Sequence, residues 1–339
     1  MTPLLDSPSP IVAAPMAGGP TSPALVRATI TAGAFPFLPA GYRTPDALAD
    51  DIRLTRAHGA PFGVNVFAAT ATPPEDAAFR TFVDRLRPEA ERFGLTLDPV
   101  PRTDDDHWAA KIDLLRRDPV PVVSFTFGLP STAEIAALRR AGSRVLATVT
   151  TVDEARAAHE AGVDGLIVQG PEAGGHSGTF TPTRTIRPAR TSDVVRSVRA
   201  AVPLPLIAAG GVDGSAAVAE LLAIGAEAVA VGTLLLRTDE AGTSATHRAA
   251  LADPSFTETV QTHAFTGRPA RALRNDFIDR YDASAPFAYP ALHHLTRPIR
   301  QAAAAANDPQ RVHLWAGTGF RRATDGPASA VFAALVAGL

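Results

Sequence analysis

The sequence predicts a TIM (βα)₈ barrel with an appended, mainly helical cap domain after the eighth strand. Short apolar runs recur along the 339 residues, and each is followed by a polar turn and a longer Ala/Leu-rich amphipathic stretch. Most of these runs are apolar at consecutive positions, as expected of strands that are covered on both faces. The turn after the first run, Ala17–Pro23, has two adjacent glycines but lacks the G-x-G-x-x-G spacing typical of an open dinucleotide-binding sheet. These observations favour a closed barrel over an open doubly wound sheet.

Eight apolar runs account for the strands. In chain order they are IVAAPM from Ile11, AFPFLP from Ala34, FGVNVF from Phe62, VPVVSFTF from Val120, RVLATV from Arg144, DGLIVQ from Asp164, PLIAAG from Pro205 and EAVAVG from Glu227.

Two segments exceed the minimal repeat. The first, Ala68–Asp118, contains a helical pattern over Glu75–Phe93, a turn rich in Pro and Asp, and a second helix from His107. The run Asp104–Asp106 before that second helix is interpreted as a solvated helix N-terminus, where acidic residues favour the helix dipole.

The second segment follows the eighth strand and is interpreted as a cap domain of residues 237–312. The barrel domain then comprises residues 1–236 plus 313–339, and the last amphipathic helix, Pro327–Leu339, completes the ring of helices.

Charge and hydropathy exclude several classes of partner. The 32 basic and 34 acidic residues leave a formal charge of -2, and no Lys/Arg-rich run could follow a nucleic acid backbone. No apolar stretch approaches the roughly 20 residues of a membrane span, and Asp6 stands where a signal peptide would be basic. We expect a cytoplasmic protein that binds neither nucleic acid nor membrane.

Two residue types are scarce. The chain has no cysteine, which excludes disulfides, thiolate metal sites and cysteine nucleophiles. Lys111 is the sole lysine, and it lies in a charged helical stretch, so a lysine aldolase is not expected.

The active site of such a barrel lies at the carboxyl ends of its strands. Those ends carry few charged groups, chiefly Glu172 and His176, which does not favour a metal site. The other candidates at these ends are Ala14, Pro15, Met16 and Ala17 after the first strand, Asn65 on the third, Ser124 and Thr126 on the fourth, and Gln169 on the sixth.

Glycines after the last two strands predict a phosphate site. Gly210 and Gly211 follow the seventh strand, and Gly232 and Thr233 follow the eighth. In barrels these loops bind phosphate through backbone N–H groups, and small residues leave the anion unobstructed. The alternative is that these glycines only form tight turns.

A phosphate at one end and the amides of Asn65 and Gln169 across the middle describe a slot for a large planar phosphorylated cofactor. Flavin mononucleotide (FMN) suits it, because amide side chains can match the mixed donor and acceptor edge of the flavin ring. Gly174 and Gly175 would let a flat ligand approach the backbone, and His176 directly after them would transfer the proton.

The sequence resembles the nitronate monooxygenase family, formerly called 2-nitropropane dioxygenases. The resemblance runs the length of the chain, and its specific element is QGPEAGGHSG (Gln169–Gly178). The other matching segments are PIVAAPMAGGPTSP (Pro10–Pro23), FGVNVF (Phe62–Phe67), VVSFTFGLP (Val122–Pro130), LIAAGGV (Leu206–Val212) and LWAGTG (Leu314–Gly319).

The resemblance implies FMN on a TIM barrel, with His176 as the catalytic base beside the flavin. It places Asn65, Gln169, Gly174, Gly175, Gly210, Gly211, Gly232 and Thr233 near the cofactor. Family members oxidise alkyl nitronates with O₂ to carbonyl compounds and nitrite. The implied partners are therefore a small nitronate or nitroalkane and O₂, and a homodimer is compatible with this interpretation.

The sequence departs from the family pattern at two positions. Ala230 replaces a glutamine that many members carry, and Thr126 stands where some members place a second histidine. A hydroxyl supplies no positive charge, so we expect weaker nitronate binding. The same scaffold serves NAD(P)H-dependent quinone and enoyl reductases, which is the alternative function; a flavin-free phosphate-binding barrel is a third.

The remaining histidines are given no role. His293 and His294 are adjacent in a helical run and are interpreted as cap surface or helix contacts. The others without assigned roles are His58, His107, His159, His247, His263 and His313.

Overall fold

Eight parallel strands close into a barrel in the computed structural model, which describes residues 3–68 and 75–339. The predicted TIM barrel is confirmed, since every strand coincides with a predicted run and the last strand pairs with the first, Val229 opposite Ile11. In barrel order the strands are β1 (Ile11–Ala13), β2 (Phe35–Pro39), β3 (Gly63–Phe67), β4 (Val122–Thr126), β5 (Arg144–Val149), β6 (Gly165–Gln169), β8 (Leu206–Ala209) and β9 (Ala228–Val231). A two-residue strand, β7 (Gly175–His176), lies outside this barrel.

Helices follow the strands. They are α1 (Pro23–Thr31), α2 (Pro45–Arg56), α4 (Trp108–Arg117), α5 (Thr132–Ala141), α6 (Val152–Ala161), α7 (Thr191–Ala201), α8 (Ser215–Ala223) and α12 (Ala328–Val336). The helix α12 packs between α1 and α8 and closes the ring. Local signals set several boundaries: Ser131 and Glu134 form a capping box at the start of α5, and Gly142 ends the helix in a left-handed conformation at φ 107°.

The barrel interior is filled by side chains at the amino-terminal end of the strands. Val12, Phe37, Ile167 and Ala230 belong to this buried cluster, and the amino-terminal residue Leu4 packs into it. The same four barrel residues also line the cavity above them. The cluster therefore forms an apolar floor for the site.

The cap contains a small antiparallel sheet as well as helices. Its helices are α9 (Ala245–Ala252), α10 (Asp276–Tyr281) and α11 (Ala291–Ala305), and its strands are β10 (Thr259–Thr262) and β11 (Ala270–Leu273). The strand order is β10-β11-β7, with Ala270 opposite His176. The cap is thus joined by backbone pairing to the loop that carries His176.

The insertion after β3 packs on the cap. Its helix α3 (Asp76–Arg92) agrees with the predicted helical pattern, while residues 69–74 of the insertion lie outside the described residues. Phe79, Phe82 and Leu86 of α3 share one buried cluster with cap residues. The core of the cap therefore includes residues outside 237–312. The assignment of residues 237–312 as the cap domain remains a proposal.

The acidic run before α4 is less solvated than predicted. Asp106 forms an ion pair with the fully buried Lys111 at 2.8 Å and accepts a hydrogen bond from the Tyr42 backbone N–H at 3.0 Å. Asp104 contacts His294 of the cap at 2.7 Å. The run thus connects the start of α4 to the cap and to the loop of Tyr42. The solvated interpretation was wrong for Asp106, whereas the Asp104 side chain is exposed.

No helix in the described ranges is long and apolar enough to cross a membrane.

Candidate active site

A cavity of about 490 Å³ lies at the carboxyl end of the barrel, between the strands and the cap. All but one of the predicted site residues line it: Ala14, Pro15, Met16, Ala17, Asn65, Gln169, Gly174, Gly175, His176, Gly210, Gly211, Gly232 and Thr233. The exception is Ser124, which is fully buried and lies behind Asn65.

Hydroxyl groups fix the orientation of Asn65. Its Oδ1 accepts hydrogen bonds from the Ser124 and Thr126 hydroxyls, both at 2.9 Å, and Thr126 lies 3.2 Å from the Thr148 hydroxyl. With Oδ1 occupied in this way, Nδ2 is left to donate to a ligand in the cavity. Ser124 therefore acts on Asn65 rather than on a ligand directly.

The Gln169 amide holds the loop that follows β6. Its Nε2 donates to the His176 carbonyl at 3.0 Å, and its Oε1 accepts from the Gly178 N–H at 2.7 Å. Because both ends of one amide bond to the backbone on either side of Ser177, the position of His176 depends on Gln169. This role comes in addition to its place in the cavity wall.

Glycines allow three loops to meet beside the cavity. A Cβ at Gly174 would lie 2.5 Å from the Gly317 nitrogen, and a Cβ at Gly210, where φ is +110°, would lie 2.9 Å from the Ala173 nitrogen. The Thr233 hydroxyl accepts a hydrogen bond from the Gly317 N–H at 2.9 Å. The loops after β6 and β8 and the segment around Gly317 are therefore packed backbone against backbone.

His176 lies among aromatic rings. Its ring centroid is 5.6 Å from that of Phe127, 5.9 Å from Tyr289 and 5.4 Å from Trp315. Its Nε2 lies 3.0 Å from the Thr266 hydroxyl of the cap. The imidazole therefore has one defined polar partner on an otherwise aromatic side of the cavity.

Burial, together with the smaller effect of the positive charges on Arg268 and Arg300, lowers the pKa of His176 to about 3. The imidazole is therefore neutral at physiological pH and available to accept a proton.

Sequence reasoning missed both of these arginines. The Arg268 side chain is fully buried, with its guanidinium carbon 4.0 Å from the centre of the Phe127 ring and Nη2 donating to the Thr179 carbonyl. Arg300 is 5% exposed and lines the cavity. Neither has a carboxylate partner within the described ranges. Both carry positive charge that acts on His176 and contributes to its low pKa.

Three further histidines line the cavity: His247, His293 and His313. His293 is buried, stacks on Tyr42 with ring centroids 4.3 Å apart, and has its Nδ1 3.3 Å from Arg300 Nη2 of the same helix. Of the two expected placements, cap surface or helix contact, the first was wrong for His293 and the second is observed. Burial lowers the pKa of His247 to about 4 and the pKa values of the other two well below 6.5. No three His, Asp or Glu side chains in the described residues are grouped to hold a metal ion.

Acid is expected to destabilise the fold through these histidines. The folded chain holds His176, His247, His293 and His313 neutral below pH 6.5, whereas the unfolded chain protonates them. Each folded pKa is depressed, so stability is complete above the unfolded value and falls as pH decreases, by about 1.4 kcal/mol per pH unit for each group. Urea unfolding at steps from pH 7 to 4.5 measures how the free energy of unfolding changes with pH. In His247→Gln this slope should be smaller by the contribution of one histidine, about 1.4 kcal/mol per pH unit. A free energy of unfolding independent of pH below 6 would contradict the assignment.

Comparison with known proteins agrees with this geometry. The family model described as nitronate monooxygenase matches residues 3–338. A probable nitronate monooxygenase of Staphylococcus aureus (strain Newman) is 34% identical over 341 residues, covering 99% of this chain and 96% of the relative.

Two solved structures are similar over nearly the whole chain. Nitroalkane oxidase from Streptomyces ansochromogenes superposes with a TM-score of 0.90 at 45% identity, covering 98% of this chain and 96% of that one. FabK from Thermotoga maritima superposes with a TM-score of 0.75 at 25% identity, covering 98% and 93%.

Proposed function

The chain belongs to the nitronate monooxygenase family and is an oxidoreductase, and on that premise we propose that it uses FMN and O₂ to oxidise alkyl nitronates. In the simplest balanced form, two nitronate anions and one O₂ give two carbonyl molecules and two nitrite ions. A neutral nitroalkane would enter the same reaction after losing its α-proton. The observation that carries the proposal is a neutral imidazole, His176, in a cavity with buried positive charge and a glycine-lined end.

The residues present fit FMN. Gly210 and Gly211 have φ values of +110° and +71°, a positive-φ backbone conformation that residues with a Cβ rarely adopt. Together with Gly232 and Thr233 they would hold the phosphate through backbone N–H groups. The Asn65 Nδ2 would donate to the ring, and the backbone of residues 14–17 would lie along it. When bound, FMN supplies the electron-accepting chemistry that the side chains of this cavity lack.

The Thr266 hydroxyl sets the tautomer of His176. It lies 3.3 Å from the Arg268 carbonyl, to which it donates, so it would accept a hydrogen bond from the Nε2–H of His176, which lies at 3.0 Å. Nδ1 then carries the lone pair and takes the α-proton of a neutral nitroalkane. The aromatic rings around His176 exclude water, and the charges of Arg268 and Arg300 stabilise the anion that forms.

Thr266→Val is expected to lower kcat on a neutral nitroalkane by about 10-fold, because Val cannot hold the productive tautomer. Turnover of a preformed nitronate, which needs no proton abstraction, should change less. Thr266→Ser should restore most of the rate. Thr246→Val, which removes another cap hydroxyl bonded to a helix carbonyl, is the matched control. Equal effects of the valine substitution on both substrates would contradict a positioning role.

A reductase that uses NAD(P)H, with a quinone or enoyl substrate, is the second candidate. The observation in its favour is Thr126, a neutral residue at a position where some family members have a second histidine. Among the described residues its hydroxyl bonds to Asn65 and Thr148. The two buried arginines compensate for that loss of charge and so support the nitronate assignment over the reductase.

Oxygen consumption with a nitronate and no pyridine nucleotide tests the proposal. We expect O₂ uptake together with nitrite at two nitrite ions per O₂, from a protein that shows the visible absorption of bound flavin. A colourless protein, or O₂ uptake that requires NADH, would contradict it.

A further inference from the structure

One face of α11 forms part of the cavity roof. Its cavity-lining residues follow helical spacing: His293, Arg297, Arg300, Gln301 and Ala304. This face carries two cations and no acid. Glu172 is the acidic residue of the described cavity lining, and its carboxylate accepts a hydrogen bond from the Thr191 N–H at 2.7 Å.

The Arg300 guanidinium is held by the helix itself. Its Nε donates to the Thr296 hydroxyl at 3.1 Å, and its Nη2 donates to the His293 carbonyl at 2.9 Å and lies 3.3 Å from His293 Nδ1. A guanidinium has five N–H donors in a fixed fork. Three of them are used within α11, and the two on Nη1 have no protein partner in the described part of the chain.

Arg300 and His176 line the same cavity, and the charge of Arg300 contributes to lowering the pKa of that imidazole. A buried cation with two free donors and no counter-charge is stabilised by an anion that brings its own acceptor oxygens. The nitronate group is a planar anion with two oxygens, which matches the two donors on one guanidinium nitrogen.

We propose that Arg300 is the specificity-determining residue that binds the anionic head of the substrate and selects the ionised nitronate over the neutral nitroalkane. Arg268 contributes charge from outside the cavity wall. It is fully buried and does not line the cavity, and its Nε and Nη1 have no hydrogen-bond partner among the described residues. This inference rests on the proposed function for the identity of the substrate, but not for the anion site itself.

Calorimetric titration of the purified holoenzyme with butyrate and with butyramide tests the site without turnover. A carboxylate has the same shape and charge as a nitronate head, and the amide has a similar shape without the charge. Arg300→Gln should weaken butyrate binding by about 10- to 100-fold and leave butyramide within about 3-fold. Arg300→Lys should retain part of the preference for butyrate. Arg274→Gln, an exposed cap arginine paired with Glu258 and Asp279, should change neither.

In steady state, Arg300→Gln should raise KM for a nitronate by a similar factor while KM for the nitroalkane changes little. Equal weakening of butyrate and butyramide, or no change in either, would overturn the inference. A third outcome would also overturn it: Arg300→Gln loses FMN, and added FMN restores its affinity for butyrate. In that case Arg300 binds the cofactor and not the substrate. If Arg300→Gln does not fold, the test uses Arg300→Lys instead. A lysine variant that binds butyrate and butyramide equally more weakly than the unaltered protein would also overturn the inference.

The two proposals fail separately. Arg300-dependent butyrate binding without nitronate turnover would retain the anion site and reject the proposed reaction. Nitronate turnover that is unaffected by Arg300→Gln would support the proposed reaction and reject the anion site at Arg300.

Discussion

Replacing His176 by alanine is expected to lower turnover on a neutral nitroalkane by about 10²–10⁴-fold, the range of a lost general base. The imidazole is neutral, and with Nε2–H donating to Thr266 its Nδ1 is the proton acceptor. A preformed nitronate has already lost the α-proton, so its turnover should fall much less. Steady-state rates on both forms of one compound, measured within minutes of preparing the nitronate, give the comparison.

FMN content should be unchanged in His176→Ala, since the residues proposed to hold its phosphate are Gly210–Gly211 and Gly232–Thr233, in other parts of the cavity wall. His159→Ala, on the exposed face of α6, is the control for loss of a histidine as such. Equal losses on nitroalkane and nitronate would reject the base role and leave His176 as a binding residue.

Gly174→Ala is expected to weaken FMN binding by about 10- to 100-fold, corresponding to the ~1–3 kcal/mol that overpacking costs. The added Cβ would lie 2.5 Å from the Gly317 nitrogen and 2.6 Å from the Ala316 carbonyl carbon, and neither backbone atom can rotate away. The loop of His176 and the segment at Gly317 would have to separate. Fluorescence of FMN released on dilution measures the affinity.

Gly175→Ala is the matched control for this substitution. Gly175 has φ +75°, so alanine is strained there, but its Cβ would meet nothing within 4 Å. It should lower stability by about 1–2 kcal/mol with less effect on FMN than Gly174→Ala. FMN affinity in Gly174→Ala equal to that of the unaltered protein would contradict the packing account.

The barrel was predictable because its strands are continuous apolar runs, a pattern that survives without tertiary context. The cavity-lining glycines were predictable for a related reason, since their position after a strand indicates a loop at the carboxyl edge. Ser124 shows the limit of that reasoning. It lies on a strand of the site, yet it contacts Asn65 instead of the cavity, and the sequence does not reveal which neighbour a hydroxyl will choose.

The arginines and β10–β11 were missed for a different reason. Arg268 lies in a polar stretch that looks solvated in sequence, and its burial follows from the pairing of β11 with β7, a contact across nearly a hundred residues. Arg300 could have been suspected from the spacing of His293, Arg297 and Arg300 on one helix face. What that face contacts could not be predicted, because it depends on how α11 packs over the barrel.

In the proposed function, electrons enter this enzyme from a nitronate. Anaerobic mixing of the flavin-loaded protein with a nitronate, and separately with NADH, tests that claim by the absorbance of oxidised flavin. We expect the nitronate to bleach it within the turnover time and NADH to leave it unchanged over the same interval. Rapid bleaching by NADH with none by the nitronate would contradict the account and assign the chain to the reductases of this scaffold.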